Sequence, residues 1–224
     1  MAKHLDLEEQ EQLDALKHFW ERWGNLITWL LIAVLGAYAG WTGWQYWQRQ
    51  QGAAASAIYE EMSRSVAAGD VARVERTLAD MKDKYGSTTY AAQGALLAAK
   101  LLQEKAKPAE AKAALAWVAD KASDDGLKAS ARLRLASMLI ADKAYDEALK
   151  QLAGSFPESY VPLAADRRGD VLVLQGKRAE AATEYGKAYQ GLTAEAGDYR
   201  KLVGMKLNAL GIDPDAGRKS GAVS

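Results

Sequence analysis

Residues 24–47 read GNLITWLLIAVLGAYAGWTGWQYW and lie within a 26-residue stretch, between Arg22 and Arg49, that contains no charged side chain. An α-helix rises about 1.5 Å per residue, so these 24 residues reach about 36 Å, more than the roughly 30 Å hydrocarbon core of a bilayer. Six of the seven tryptophans lie between positions 20 and 47, mostly at the two ends of the stretch. Because tryptophan rings favour both headgroup levels, the pattern predicts a membrane-spanning helix over residues 23–48.

A cleaved signal peptide is the main alternative, since small residues follow the apolar run at positions 53–57. However, the 22 residues before the run are acidic, whereas signal peptides begin with a short basic segment. The run is also about twice the usual length, and aromatic residues occupy the expected cleavage region. A buried helix of a soluble core would be shorter and would keep a polar face. We therefore expect an uncleaved anchor.

Basic residues near the membrane leave the orientation of the anchor open. Three lie on the N-terminal side and two, Arg49 and Arg64, on the C-terminal side, so the positive-inside preference is weak. A short tail, one span and a long C-terminal body are nevertheless typical of signal-anchor proteins, whose long domains cross the membrane regardless of charge. We expect residues 1–22 to form a short cytoplasmic tail.

The overall composition excludes several classes of protein. Formal charge is zero, with an acidic tail and a mildly basic remainder, and neither provides the concentrated basic face of a nucleic-acid-binding protein. The absence of cysteine excludes disulfides and thiolate metal sites. Within the tail, apolar residues recur at spacings of three and four, which predicts an amphipathic helix resting at the headgroups or docking on a partner: Leu13, Leu16, Trp20 and Trp23.

The body, residues 53–211, contains a weak internal repeat. Four similar segments, GDVARVERTL, AKPAEAKAAL, KAYDEALKQL and GKRAEAATEY, begin at positions 69, 106, 143 and 176. Each has a small apolar residue followed four positions later by a larger one: Val74 with Leu78, Ala111 with Leu115, Ala148 with Leu152, and Ala181 with Tyr185. Twelve residues before each small residue, another apolar-periodic segment contains Met62, Ala99, Ala136 and Gly169. This pattern predicts stacked helical hairpins.

The spacing resembles the tetratricopeptide repeat, in which two helices and their turns occupy roughly 34 residues. The early tryptophan and closing proline of that repeat are absent, and the unit with Met62 and Val74 is degenerate, so that it is either a repeat or a cap. A plain helical bundle stays an alternative. The predicted fold class is all-α, a single transmembrane helix followed by a tetratricopeptide-like repeat domain. We expect a closing helix over residues 199–210 and a disordered C-terminal tail over residues 212–224.

Recognisable catalytic groups are absent from the body. Both histidines, His4 and His18, lie in the tail, and neither a GxxxxGK[ST] loop nor a GxSxG motif occurs. Paired acids such as Asp124 with Asp125, Asp146 with Glu147, and Asp166 with Asp170 are interpreted as helix caps and solvated faces. We therefore expect no enzymatic activity, no cofactor and no metal.

Two surfaces are predicted to bind other proteins. Small residues form one face of the anchor and allow a second helix to approach closely: Ala33, Gly36, Gly40 and Gly43. The first helices of stacked hairpins line a concave groove, and the predicted groove residues are Gln93, Lys100, Gln103, Ser130, Leu133, Ser137, Asp166, Asp170 and Val173. Their mixed chemistry suits an extended peptide or a partner helix better than a small molecule.

The order of these features resembles the YfgM family of bacterial inner-membrane proteins. The likeness is carried by ALKHFWERWGN before the anchor, GWQYW at its end, and LKASARLRLASMLIADKAYDEAL and ADRRGDVLVLQGKRAEA in the body. The resemblance implies a cytoplasmic N-terminus, a periplasmic tetratricopeptide-like domain, and association with the SecYEG translocon. It also implies cooperation with a membrane-anchored periplasmic peptidyl-prolyl isomerase in passing exported client proteins to chaperones.

Three rival functions stay open at this stage. The body is alternatively a scaffold for another cell-envelope assembly, or the protein regulates a cytoplasmic partner through its tail. An enzyme or small-molecule sensor would need a deep polar pocket in the body, which ligand-induced stabilisation of the isolated domain would reveal.

Overall fold

Every regular element that the computed structural model describes, over residues 7–193 and 196–214, is helical. The all-α prediction is therefore confirmed. The helices are α1 (Leu7–Ala67), α2 (Val71–Tyr85), α3 (Thr89–Glu104), α4 (Pro108–Lys121), α5 (Asp125–Ala141), α6 (Tyr145–Leu152), α7 (Val161–Leu174), α8 (Arg178–Gly191) and α9 (Gly197–Ala209), with a short 3-10 turn at Glu158–Tyr160 before α7.

Helix α1 contains the described part of the predicted tail, the predicted anchor and the first helix of the first hairpin. Contacts divide the chain into two compact units, residues 1–51 and residues 52–224. The first unit, where described, consists of α1 alone. The second unit begins with the C-terminal part of α1 and contains α2 to α9. Residues 1–6 and 215–224 lie outside the described residues, and so does most of the predicted disordered C-terminal tail.

In the second unit, a residue with positive φ follows the first helix of each hairpin, two positions after the last helical residue. These residues are Gly69 (φ 68°), Ala106 (φ 55°), Lys143 (φ 61°) and Gly176 (φ 78°), and they recur with the same spacing as the sequence repeat. The following N–H groups close the turn, as where Lys107 N donates to the Leu102 oxygen at 2.8 Å. This left-handed cap satisfies carbonyls at the helix end and reverses the chain. A single backbone device therefore builds all four hairpins.

The small and large residues of the repeat form the core. The small residues Val74, Ala111, Ala148 and Ala181 have no exposed surface, and their larger partners four positions on are also buried. Met62 shares a core cluster with Val74, so the end of α1 serves as the first helix of a complete hairpin. A methyl group added at Gly169 would overlap the Tyr185 ring, which explains the small residue at that crossing. The repeat spacing of small residues therefore allows the two helices of each hairpin to pack closely.

Helix starts follow local sequence signals. The side chains of Asp70, Thr88 and Asp124 accept hydrogen bonds from the N–H groups three residues on, in each case as N-caps. The predicted cap at Asp124 is thus confirmed, with its carboxylate 2.8 Å from Leu127 N. These caps fix where α2, α3 and α5 begin. The starts of α4, α6, α7, α8 and α9 lack a side-chain cap, and α4 and α7 have a proline in the first turn instead.

Candidate interaction surfaces

The anchor segment of α1 exposes its large apolar side chains on all sides. Trp29 is 65% exposed and Leu35 is 64% exposed, and most of their apolar neighbours are similarly uncovered. Among the described residues, α1 is the one helix that is long and apolar enough to span a membrane. The hydroxyls of Thr28 and Thr42 donate to the backbone oxygens of Gly24 and Tyr38 at 2.7 and 2.8 Å, so these polar groups are satisfied without water. Such a surface is favourable in lipid.

The small-residue face of the anchor is open. Methyl groups added at Gly36, Gly40 or Gly43 would meet nothing within 4 Å. With Ala33, these residues recur at spacings of three and four and therefore share one side of α1. A second helix could approach this side to backbone contact, and its role stays a prediction.

The predicted groove residues lie on α3, α5 and α7, and each of these helices contacts the next in the series. Most of them are available to a partner. Gln93, Lys100, Gln103, Ser137 and Val173 are exposed, whereas Ser130, Leu133 and Asp170 are half-buried. Lys100 has a loose ion pair with Glu104, at 4.0 Å, and both side chains are mostly solvated. This part of the surface is polar, and its charged side chains are not held in close ion pairs.

Asp166 neither lines a groove nor lies on a solvated face, which corrects both sequence-based predictions for this residue. It has no exposed surface, and its carboxylate accepts hydrogen bonds from Tyr199 Oη at 2.6 Å and Lys206 Nζ at 2.7 Å. Lys206 also donates to Asp170 at 2.6 Å, and the hydroxyl of Tyr185 donates to the same oxygen at 2.8 Å. The carboxylates are engaged because α9 covers this part of α7. Their role here is to hold the last helix.

The buried polar cluster changes the acidity of its tyrosines. Burial raises the pKa of Tyr185 and of Tyr199 well above the ordinary value, and the hydrogen bonds to Asp170 and Asp166 raise each pKa further. Nearby, burial acts to raise the pKa of Glu184, but hydrogen bonds from Lys187 and Arg168 outweigh it and lower that pKa. The cluster therefore keeps neutral phenols beside ionised partners, an arrangement that stabilises the junction of α7, α8 and α9.

Two features near the groove escaped the sequence prediction. Tyr59 of α1 and Tyr90 of α3 form a ring pair with centroids 5.8 Å apart, and Tyr90 is 37% exposed. Arg134 of α5 is exposed, one position after the predicted groove residue Leu133. The repeat register could have found both, since each lies on a first helix of a hairpin. They add an aromatic contact and a second cationic contact, beside Lys100, to this surface.

Among residues 7–193 and 196–214, no group of three or more His, Asp or Glu side chains is arranged to hold a metal ion. The charged cleft between the end of α1 and α2 contains Glu61, Arg73, Asp80 and Lys84. These charges pair with one another, Arg73 with Glu61 at 3.5 Å and Lys84 with Asp80 at 3.1 Å. The cleft thus has the character of a solvated ion-pair surface.

Comparison with known proteins agrees with this architecture. The model of the tetratricopeptide repeat-like domain family matches residues 17–212. A protein of Neisseria gonorrhoeae named ancillary SecYEG translocon subunit is 33% identical over 94% of this chain and 100% of its own length. The chain belongs to the YfgM family. Members with the same name from Escherichia coli and Haemophilus influenzae are 28% and 29% identical, each over 91% of this chain and 97% and 98% of their own lengths.

No solved structure matches the chain. The family match nevertheless decides between the two folds that the sequence left open, because it identifies the body as a tetratricopeptide-like array and not a plain helical bundle. The YfgM family members are aligned with this chain through both the anchor and the repeats. The family names and the repeat fold are those of an adaptor.

Proposed function

We propose that this protein is a membrane-anchored, non-enzymatic interaction module of the SecYEG translocon. In this proposal, residues 1–22 lie in the cytoplasm, the anchor spans the inner membrane, and the repeat domain stands in the periplasm. The domain helps to pass newly exported chains to periplasmic chaperones, together with a membrane-anchored peptidyl-prolyl isomerase. The proposal rests on one observation: the same chain contains a helix that could span a membrane and a tetratricopeptide-like array, and its relatives are named as subunits of the translocon.

The anchor supports association within the membrane. Helices in lipid associate through close packing, and small residues allow the backbones to approach. The open face formed by Ala33, Gly36, Gly40 and Gly43 is therefore the proposed contact with another membrane helix. A single span also confines the repeat domain to the membrane surface, which raises its local concentration near emerging chains.

The groove chemistry supports contact with exported clients. Gln93, Gln103 and Ser137 offer amide and hydroxyl groups that both donate and accept hydrogen bonds. Such groups can pair with the backbone of an extended segment, whatever its side chains. Tyr90 and Val173 add exposed apolar surface at the two ends of this set. Weak, sequence-tolerant contacts suit a transient handover, since tight binding would delay release.

Site-specific photocrosslinking in intact cells tests this function. A photoreactive amino acid placed at Gln93 or Ser137 should capture translocon subunits, the isomerase or exported clients. The matched controls are Ala113 and Lys150, which are exposed but lie on second helices of hairpins. Capture from all four positions alike would refute the groove, and capture of no translocon subunit or export chaperone from any position would refute the function.

The proposed topology has its own test, because the chain contains no cysteine. A cysteine introduced at Ala113 should react with a membrane-impermeant maleimide added to intact spheroplasts, whereas a cysteine at His18 should react only after the membrane is opened. The reverse labelling pattern would contradict the topology. Release of the protein by carbonate washing would contradict the anchor itself.

A further inference from the structure

Helix α6 is shorter than the second helices of the other hairpins. It has 8 residues, whereas α2, α4 and α8 have 15, 14 and 14. At about 1.5 Å of rise per residue, the missing turns amount to about 9 Å of helix. The chain leaves α6 after Leu152 and runs through Gly154 to Pro157 without helical structure before the 3-10 turn. We call residues 153–157 the α6–α7 junction.

An arginine occupies an apolar position of the repeat beside this junction. Eleven residues before the left-handed cap of each hairpin, the first helices have Ile58, Ala95, Arg132 and Ala165. Nη1 of Arg132 donates to the Ser155 oxygen at 2.8 Å, and a methyl group added at Gly154 would overlap the guanidinium group. A hydrogen bond from this arginine therefore holds the segment that replaces the missing turns of α6.

A second arginine binds the end of α6 from the other side. Nη1 of Arg168, on α7, donates to the Leu152 oxygen at 2.9 Å, while its Nε donates to Glu184 of α8 at 2.6 Å. The last carbonyls of a helix have no partner within the helix, so Arg168 satisfies one of them. Gln175 adds a long contact to Asp146, at 3.4 Å. Polar contacts thus connect the third hairpin to the fourth.

Apolar packing at the junction is thin. In the core cluster that joins α5, α6 and α7, three of the five buried members are alanines, and the others are Leu152 and Val171. The cluster of the earlier hairpins contains larger buried side chains such as Met62, Met81 and Leu102. Among α2 to α9, consecutive helices contact each other least between α6 and α7. A low density of buried apolar contacts characterises regions that open or bend easily.

The helices after the junction are bound firmly to one another. Buried Asp166 accepts hydrogen bonds from Tyr199 and Lys206 of α9, and Arg168 forms an ion pair with Glu184 of α8. One apolar cluster includes side chains of α7, α8 and α9. Before the junction, another cluster extends from the end of α1 to α5. The weakest packing therefore lies between two well-packed parts of the repeat domain.

We infer that the α6–α7 junction is a hinge, about which α7 to α9 move as one body relative to the hairpins before it. Gly154 gives the junction a residue with wide backbone freedom, and the hydrogen bonds of Arg132 and Arg168 hold one arrangement. The predicted groove continues from Ser137 on α5 to Val173 on α7, so the motion changes its width. On the proposed function, one groove would then accept exported chains of different bulk. The hinge itself does not depend on which partner the groove binds.

Distances between two spin labels in the full-length chain test the hinge, since the natural chain has no cysteine. Labels at Ala113→Cys and Thr183→Cys lie on α4 and α8, on opposite sides of the junction. The matched pair, Arg76→Cys and Lys150→Cys, is also two hairpins apart but lies wholly before it. All four residues are exposed and stand seven residues after a left-handed cap. Double electron–electron resonance should give a distance distribution about twice as broad for the pair 113–183 as for the pair 76–150.

Removal of an arginine then tests what holds the hinge. Arg132→Met keeps an unbranched side chain but removes the donor to Ser155, and it should broaden the 113–183 distribution while leaving the 76–150 distribution unchanged. Arg134→Met removes an exposed arginine from the same helix and should change neither. Circular dichroism of each variant checks the fold. Equal widths for the two label pairs, or equal effects of Arg132→Met and Arg134→Met, would overturn the inference.

Discussion

Removal of Lys206 is expected to loosen α9 from the rest of the array. Lys206→Met keeps the length of the side chain but removes the cation that donates to both carboxylates. Arg167, 3.7 Å from Asp166 and 3.2 Å from Asp170, stays as their remaining basic neighbour. Asp166 has no exposed side-chain surface, and Asp170 and Lys206 are 24% and 23% exposed, so water replaces the lost interaction poorly. Removing one partner of a buried ion pair typically costs about 3–5 kcal/mol. We expect a value at the lower end, about 3 kcal/mol, since Asp166 keeps its hydrogen bond from Tyr199 and its ion pair with Arg167.

Urea unfolding and native-state hydrogen exchange of the fragment 52–224, which forms a compact unit, measure this cost. Because each repeat contacts only its neighbours, the loss should appear as local opening of α9. Exchange of the amides of residues 197–209 should accelerate by about 150-fold, the equivalent of about 3 kcal/mol, whereas amides of α3 should be unchanged.

Two comparisons decide whether buried charge is the cause. Lys201→Met removes an exposed lysine from the same helix, and we expect a loss of at most about 0.5 kcal/mol. Asp166→Asn combined with Lys206→Met removes the uncompensated buried charge and should recover most of the loss. The reasoning is refuted if Lys206→Met is as mild as Lys201→Met, or if the double variant is no more stable than Lys206→Met.

Three further predictions concern the remaining packing. The raised pKa of Tyr185 and of Tyr199 means that the folded state favours the neutral phenols. The two side chains therefore contribute their full share to the free energy of unfolding below the ordinary tyrosine pKa of about 10, and this contribution is lost as the pH rises above that value. Absorbance at alkaline pH should show two tyrosines that ionise together with unfolding, and early ionisation of both would contradict this. Gly169→Ala should cost about 1–3 kcal/mol in urea unfolding because the new methyl group overlaps the Tyr185 ring, and Gly186→Ala, at a site with open space, is the control. Asp124→Ala should cost about 1 kcal/mol through loss of its helix cap, whereas a loss near zero would show that the backbone N–H finds another acceptor.

Much of the architecture could be predicted because its causes are local or periodic. The anchor follows from uninterrupted apolarity, the starts of α2, α3 and α5 follow from capping side chains, and the hairpins follow from small residues at repeat spacing. The groove residues on α3 and α5 also follow from the register, and the structure leaves Gln93, Lys100, Gln103 and Ser137 exposed. Their role as a binding surface stays a prediction.

The part of the groove on α7 could not be predicted in the same way. Asp166 has the sequence position of a groove residue, but its partners Tyr199 and Lys206 lie 33 and 40 residues away along the chain. No short-range pattern encodes such a pairing. The repeat spacing predicted that Asp166 is exposed because this spacing contains no information about the side chains of α9 that contact it.

The sequence alone determined that this chain has a lipid-compatible helix and a body of stacked hairpins, because solvation of apolar side chains and helix periodicity act within short segments. The tertiary structure alone decided which acidic residues are buried and which side chains of α9 reach them. Burial is a property of whichever elements meet, and those meetings depend on how the whole array stacks.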